Sequence, residues 1–113
     1  MNETKQKLAK ASDLGLKDAQ LEEILDFAKK YPKIEQVIVY GSRAKGTYRP
    51  GSDVDLVLVG KNLKISDQLA FWNDLDDSYQ PYFFDVAILH HIQNESLLDH
   101  IHRVGKLIYS RVV

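Results

Sequence analysis

Gly41-Ser42-Arg43-Ala44-Lys45-Gly46, followed after a short loop by Gly51-Ser52-Asp53-Val54-Asp55-Leu56, constrains this chain more than any other stretch. Apolar runs flank both halves, Val37-Ile38-Val39-Tyr40 before the Gly-Ser pair and Leu56-Val57-Leu58-Val59 after the acids. That order reads as strand, tight turn, short helix, loop, strand. Gly41 permits a tight turn and a close backbone approach to a ligand. Ser42 offers a hydroxyl and an N–H where the helix begins, a position that attracts phosphate.

In a strand, residues i and i+2 point to the same face, so Asp53 and Asp55 project together, about 6–7 Å apart at Cβ. Carboxylates that close repel, and a divalent cation relieves the repulsion; hard oxygen donors beside substrate phosphates suit Mg²⁺. Two metals clamping an in-line phosphoryl displacement require a third carboxylate. Asp85, within Tyr82-Phe83-Phe84-Asp85-Val86-Ala87-Ile88-Leu89, is the candidate. Alternation puts Phe84, Val86 and Ile88 on one face of that strand and Phe83, Asp85 and Ala87 on the other. An acid buried there is unfavourable unless a metal offsets its burial.

Gly41-Ser42, ten intervening residues, Asp53-Val54-Asp55 and a later strand Asp resemble the nucleotidyltransferase superfamily that includes DNA polymerase β, over most of the chain. The short length and the Gly-Ser-Arg-Ala-Lys-Gly wording are similar to the minimal nucleotidyltransferases, small prokaryotic proteins often encoded beside a HEPN-type partner. The resemblance implies an α/β (α+β) nucleotidyltransferase fold, a mixed central β-sheet flanked by helices. It also implies transfer of AMP from ATP to a hydroxyl acceptor, with pyrophosphate leaving. Asp53, Asp55 and Asp85 would hold two Mg²⁺ ions, and Asp85 could also take the acceptor's proton. Gly41 and Ser42 would cradle the β and γ phosphates, and Arg43 would neutralise the pyrophosphate. In the minimal subgroup the acceptor is a tyrosine of a HEPN-type toxin, which would make this chain an antitoxin. Two alternatives stand beside that reading: a non-catalytic subunit that masks the toxin, and a small-molecule adenylyltransferase of the antibiotic-modifying kind, its acceptor pocket completed by dimerisation.

A second Asp-x-Asp, Asp74-Leu75-Asp76, lies where Leu69, Phe71, Trp72 and Leu75 recur at helical spacing. On a helix, i and i+2 diverge, so Asp74 and Asp76 are assigned to a solvated face. Gly41 to Gly46 has the Gly-x4-Gly spacing of a P-loop, but Thr47-Tyr48 stands where Lys-Ser/Thr is required. The chain has no cysteine, which excludes disulfide and thiol chemistry. Its four histidines, His90, His91, His100 and His102, are read as surface residues. Lys45 and Arg49 are read as solvated. Phe71, Trp72, Tyr79, Tyr82 and Phe83 form an aromatic cluster assigned mostly to the core, with partner contact as the other reading.

A length of 113 residues fits a single nucleotidyltransferase domain spanning residues 1–113. The net charge of −1 argues against broad nucleic-acid binding. With no transmembrane-length run and no apolar signal core, a cytoplasmic protein is expected, as a homo- or hetero-oligomer. Residues 1–14 are polar with little period and read as a frayed or partner-ordered helix. Helices are predicted over residues 18–31, 66–78 and 94–104, the first stopped by Pro32 and the last closed by Gly105. The strand after Asp53, apolar on both faces beyond its acids, is expected at the centre of the sheet.

Overall fold

The computed structural model describes residues 7–111. A 3₁₀ turn at Ala11–Leu14 leads into helix α1 (Asp18–Lys29), strand β1 (Gln36–Tyr40), helix α2 (Gly41–Lys45) and strand β2 (Val54–Val59). Helix α3 (Ile65–Asp76), strand β3 (Phe84–Ile88), a 3₁₀ turn (Leu89–His91), helix α4 (Glu95–Val104) and strand β4 (Lys106–Ser110) complete the order. The four strands form one mixed sheet in the order β3-β2-β1-β4. β1 runs antiparallel to β2 and β4, and β2 runs parallel to β3.

The predicted helices and strands form within a few residues of their sequence boundaries, and each end has a local cause. Residue 17 opens α1 with its backbone N–H on Gln20 Oε1 at 2.9 Å, and Lys64 opens α3 the same way on Asp67 Oδ2. Asn94 caps α4 by accepting the Leu97 N–H at 3.0 Å. The Arg111 side chain closes the end of α1 by donating to the Lys29 carbonyl, and to those of Tyr31 and Ile34 in the loop beyond it.

Strand alternation divides the core in two. Val37, Val39, Leu56, Leu58 and Ile88 pack with Ile24 and Ala28 of α1 and Phe71 and Leu75 of α3. Tyr40, Val57 and Ile101 of α4 form a smaller cluster with Ile38, Ala87 and Leu97 around it. β2 is an interior strand, as its two-sided apolar pattern predicts.

The start of the chain departs from expectation. Residues 1–6 of the expected frayed helix lie outside the described residues, but Ala11 and Leu14 are buried, at 2% and 0% exposure. Ala9 N–H also donates to the Leu107 carbonyl at 2.8 Å, along the free edge of β4. Two small apolar contacts and one ladder bond hold this segment down, a pattern too short for a period to show. Among the described residues no helix is long and apolar enough to cross a membrane.

Candidate active site

Register brings the acids together. Asp55 of β2 pairs with Asp85 of β3 on one side and with Tyr40 of β1 on the other. Neighbouring strands lie about 4.8 Å apart, so the two carboxylates rise side by side on the face that α4 covers. Asp53 stands two residues before Asp55, just outside β2, with Val54 N–H bonded to the Phe83 carbonyl at 2.9 Å. The ladder therefore continues outward with Asp53 beside Phe83.

The turn after β1 closes onto these acids. Gly41 adopts φ +73°, and a Cβ there would run into the Asp55 carboxylate. Any other residue would meet both a left-handed backbone and a steric collision. Ser42 follows, and its carbonyl accepts the N–H groups of Gly46 and Thr47, which ends the short helix.

The electrostatics agree with the geometry. Burial pushes the half-buried Asp55 carboxyl above the usual range, and the charges of Asp85 and Asp53 push it further; Arg43 opposes them, as does His100 only when its ring is protonated. Burial, then Asp85 and Asp55, push the Tyr40 hydroxyl up to about 12. These are the marks of a concentrated negative field with too little positive charge facing it. As the side chains lie, no three acidic or histidine groups of the described residues stand close enough to hold a metal ion. The donor set is nonetheless all hard oxygen, and Asp53 and Asp85 are exposed, with room to turn toward a shared cation. A divalent ion such as Mg²⁺ fits that chemistry.

Asp85 differs from its expected setting. It is exposed, on an edge strand, so no burial penalty attaches to it. What marks it is its register with Asp55, which a single strand's sequence does not reveal.

Arg43 is also placed otherwise than its sequence position suggests. It is 2% exposed. Its Nη1 donates to the Leu14 and Gly15 carbonyls, and its Nε and Nη2 to the Ser52 carbonyl at 3.2 and 2.8 Å. The guanidinium lies 4.5 Å from the Tyr82 ring and 5.5 Å from that of Tyr48. The group is committed to three carbonyls and two rings, clamping the N-terminal segment to the loop that carries Asp53. A pyrophosphate contact would require that clamp to open.

The structure adds His100, which sequence reasoning placed on the surface. Its Nε2 accepts the Gly41 N–H at 3.1 Å, and its ring stands edge-on to Tyr40. The available signal was its place on α4, three residues after Leu97 and beside Ile101, at the margin of the inward face. His90 and His91 are exposed, as is His102. Asp74 is a second correction: it is not solvated but half-buried, accepting from Tyr31 Oη at 2.6 Å and Lys30 Nζ at 3.0 Å. Asp76 is exposed, as expected.

The aromatic cluster splits. Phe71 is core, Trp72 donates its Nε1–H to the Phe84 carbonyl, and Tyr82 packs on Arg43. Tyr79 and Phe83 face outward, at 104% and 80% exposure. A separate cavity of about 1030 Å³, floored by Ile38, Leu89, Ile101 and Leu107, contains none of the three acids.

Residues 22–112 match the family model described as polymerase β nucleotidyltransferase, a span that takes in the Gly-Ser turn and all three acids. No curated protein matches the sequence. Among solved structures the chain is similar to a toxin–antitoxin crystallised with AMP-PNP, with TM-score 0.67 and 18% identity over 81% of this chain and 74% of that one. An MntA–HpeT toxin–antitoxin mutant gives TM-score 0.66 and 16% identity over the same shares. The tri-AMPylated Shewanella oneidensis HEPN toxin in complex with MNT antitoxin gives 0.62 and 15%, over 81% and 71%. At such identities the likeness establishes a shared fold. With the family model covering most of its length, the chain belongs to the polymerase β nucleotidyltransferase family.

Proposed function

We propose that this protein transfers AMP from ATP to a hydroxyl acceptor, a tyrosine of a HEPN-type toxin, and so serves as the antitoxin of a cytoplasmic toxin–antitoxin pair. One observation carries the reading: the Gly41 turn is packed directly on Asp55, with Asp85 in register beside it. The solved neighbours add the chemistry by analogy, one crystallised with AMP-PNP and another containing an AMPylated HEPN toxin.

Asp53, Asp55 and Asp85 are the residues that would hold two Mg²⁺ ions. When bound, the metal supplies charge neutralisation to the triphosphate and acidifies the acceptor hydroxyl. The chain's own groups do the rest. Ser42 presents its hydroxyl and N–H to the β and γ phosphates, and Gly41, with no side chain to strike Asp55, holds that turn against the acid. Arg43 positions the Ser52 carbonyl and thereby the loop ending at Asp53. The acceptor oxygen attacks the α-phosphorus, the bond from that phosphorus to the bridging oxygen breaks, and pyrophosphate leaves with the electron pair. Asp85, exposed at the rim, takes the acceptor's proton. Tyr79 and Phe83, the outward-facing aromatics before β3, suit contact with the protein that brings the acceptor.

The test is incubation with α-labelled ATP and Mg²⁺ in lysate of the source cells, beside a D53N/D55N control. Label on a protein band only with the intact acids supports the proposal. Label on a small molecule favours a metabolite-modifying enzyme instead. If no fraction is labelled although the partner is present, and the control still neutralises the toxin, the protein acts by masking.

A further inference from the structure

The first N–H groups of helix α2, like those of any helix, find no partner within it, and Tyr40 before it offers no side-chain cap. The donor at Gly41 is met from elsewhere in the fold: His100 Nε2, on α4, accepts it at 3.1 Å. A ring nitrogen that accepts an N–H carries its lone pair there, so the His100 proton sits on Nδ1. The ring is held edge-on to Tyr40, with centroids 6.3 Å apart and planes at 80°. Gly41 in turn abuts the Asp55 carboxylate. A continuous chain of contacts thus runs from α4 through the turn to the central acid.

We propose that His100 is a positioning residue of the nucleotide cleft, fixing the Gly41 backbone against Asp55 by accepting its N–H. The inference rests on the nucleotidyltransferase reading and deepens it by adding a residue to that site. Packing alone does not require a histidine here. Leu97 and Ile101 already anchor α4 to the sheet, and any apolar side chain at 100 would extend that contact. The acceptor nitrogen matters because glycine is the least constrained residue, and at φ +73° its peptide unit needs an outside partner to stay in one place. With the Gly41 N–H so occupied, the donors next in line for phosphate at this turn are those of Ser42.

Three variants separate the acceptor from the packing. H100L keeps bulk and removes the acceptor, H100A removes both, and H100Q can return a carbonyl oxygen near the Nε2 position. Loss of this one part-buried hydrogen bond corresponds to about 3- to 10-fold in rate. We expect kcat/KM for ATP in the transfer assay to fall by about that factor in H100L and H100A, and to recover largely in H100Q. Equal activity of H100L and wild type would overturn the inference, as would H100Q no better than H100L. Tighter ATP binding by H100L would also overturn it, by showing that the ring competes with phosphate for the Gly41 N–H.

A second measurement needs no activity. Amide hydrogen exchange of Gly41, followed by nuclear magnetic resonance in the nucleotide-free protein, should be protected in wild type and H100Q and fast in H100L. If wild type transfers nothing, the enzymatic reading fails while the exchange result still decides the tie. If wild type transfers and H100L matches it, the tie has no function and the enzymatic reading stands.

Discussion

On one face of the sheet Val37, Val39, Leu56, Leu58 and Ile88 are sealed beneath α1 and α3, whereas on the other Tyr40 packs with Ile101 of α4, Asp55 is half-buried against the Gly41 turn and Asp85 is open to solvent. The two faces come from alternate residues of the same strands. Leu56 and Asp55 are adjacent in sequence and opposite in task. A strand inverts its side chains at every step, so a closed apolar layer and a charged rim can share one backbone. The closed layer supplies stability, and the open one tolerates a concentration of like charge that a core could not.

The largest expected effect lies on the closed face. Phe71 has no exposed surface and meets Tyr31 edge-on, with ring centroids 6.4 Å apart. Phe71→Ala should lower unfolding free energy by about 3–5 kcal/mol in urea titration. The transfer activity of the molecules that remain folded should be little changed. A loss of activity beyond the loss of folded protein would mean that the two faces are not separable.

Asp55→Asn should do the reverse. Transfer should fall at least about a hundredfold, the scale seen when a group stabilising transition-state charge is removed. The ligand-free fold should become more stable. The Asp55 carboxyl is raised above its unfolded value by burial and by Asp85 and Asp53, so the fold favours its protonated form. That preference stabilises fully below the unfolded value and is lost as pH rises through the folded one. Asparagine stays neutral throughout. Thermal midpoints measured without metal should therefore diverge in the variant's favour as pH rises and converge in acid. A variant less stable than wild type at neutral pH would break the comparison.

Much of this division can be read in the sequence, and what cannot is long-range. The strands around Gly41-Ser42 and Asp53-Val54-Asp55 carry strong apolar patterns and unambiguous turn residues, so their type and the interior place of β2 follow from local physics. The settings of Arg43, Asp74 and His100 escape local pattern because their partners lie 9 to 59 residues away in the chain. A polar side chain in a helix or loop is solvated by default, and only the tertiary fold brings it a carbonyl or hydroxyl. The same holds for Asp85, whose meaning lies in its neighbour across the ladder rather than in its own strand.

Arg43 links the two regions, and its replacement should have an intermediate effect. Arg43→Lys keeps the charge but cannot fork to the Leu14, Gly15 and Ser52 carbonyls together. About 2–3 kcal/mol of stability should be lost in urea unfolding. Transfer per folded molecule should fall as well, because the Ser52 carbonyl is the last fixed point before Asp53. A stability loss with full transfer would make Arg43 a core residue alone and confine the cleft to the acids and the Gly41 turn.

The smallest effect compares two tyrosines, one on each face. Tyr31 is pushed up to about 12 by burial first, then by its hydrogen bond to Asp74 and that residue's charge. Tyr40 is pushed up to about 12 by burial first, then by Asp85 and Asp55. Both hydroxyls are raised above the unfolded value near 10, so each contributes stability that is complete below about pH 10 and is lost as pH rises toward 12. In titration of tyrosinate absorbance, Asp74→Asn should bring down the Tyr31 step and leave Tyr40 in place, and Asp85→Asn should do the opposite. Assigning each step with a Tyr→Phe variant decides the outcome. Crossed effects, with Asp74→Asn moving Tyr40, would mean that charge is felt through the sheet. Independent steps would show that the apolar layer of β1 and β2 insulates one face from the other, which is what lets the open face concentrate acid without unsettling the core.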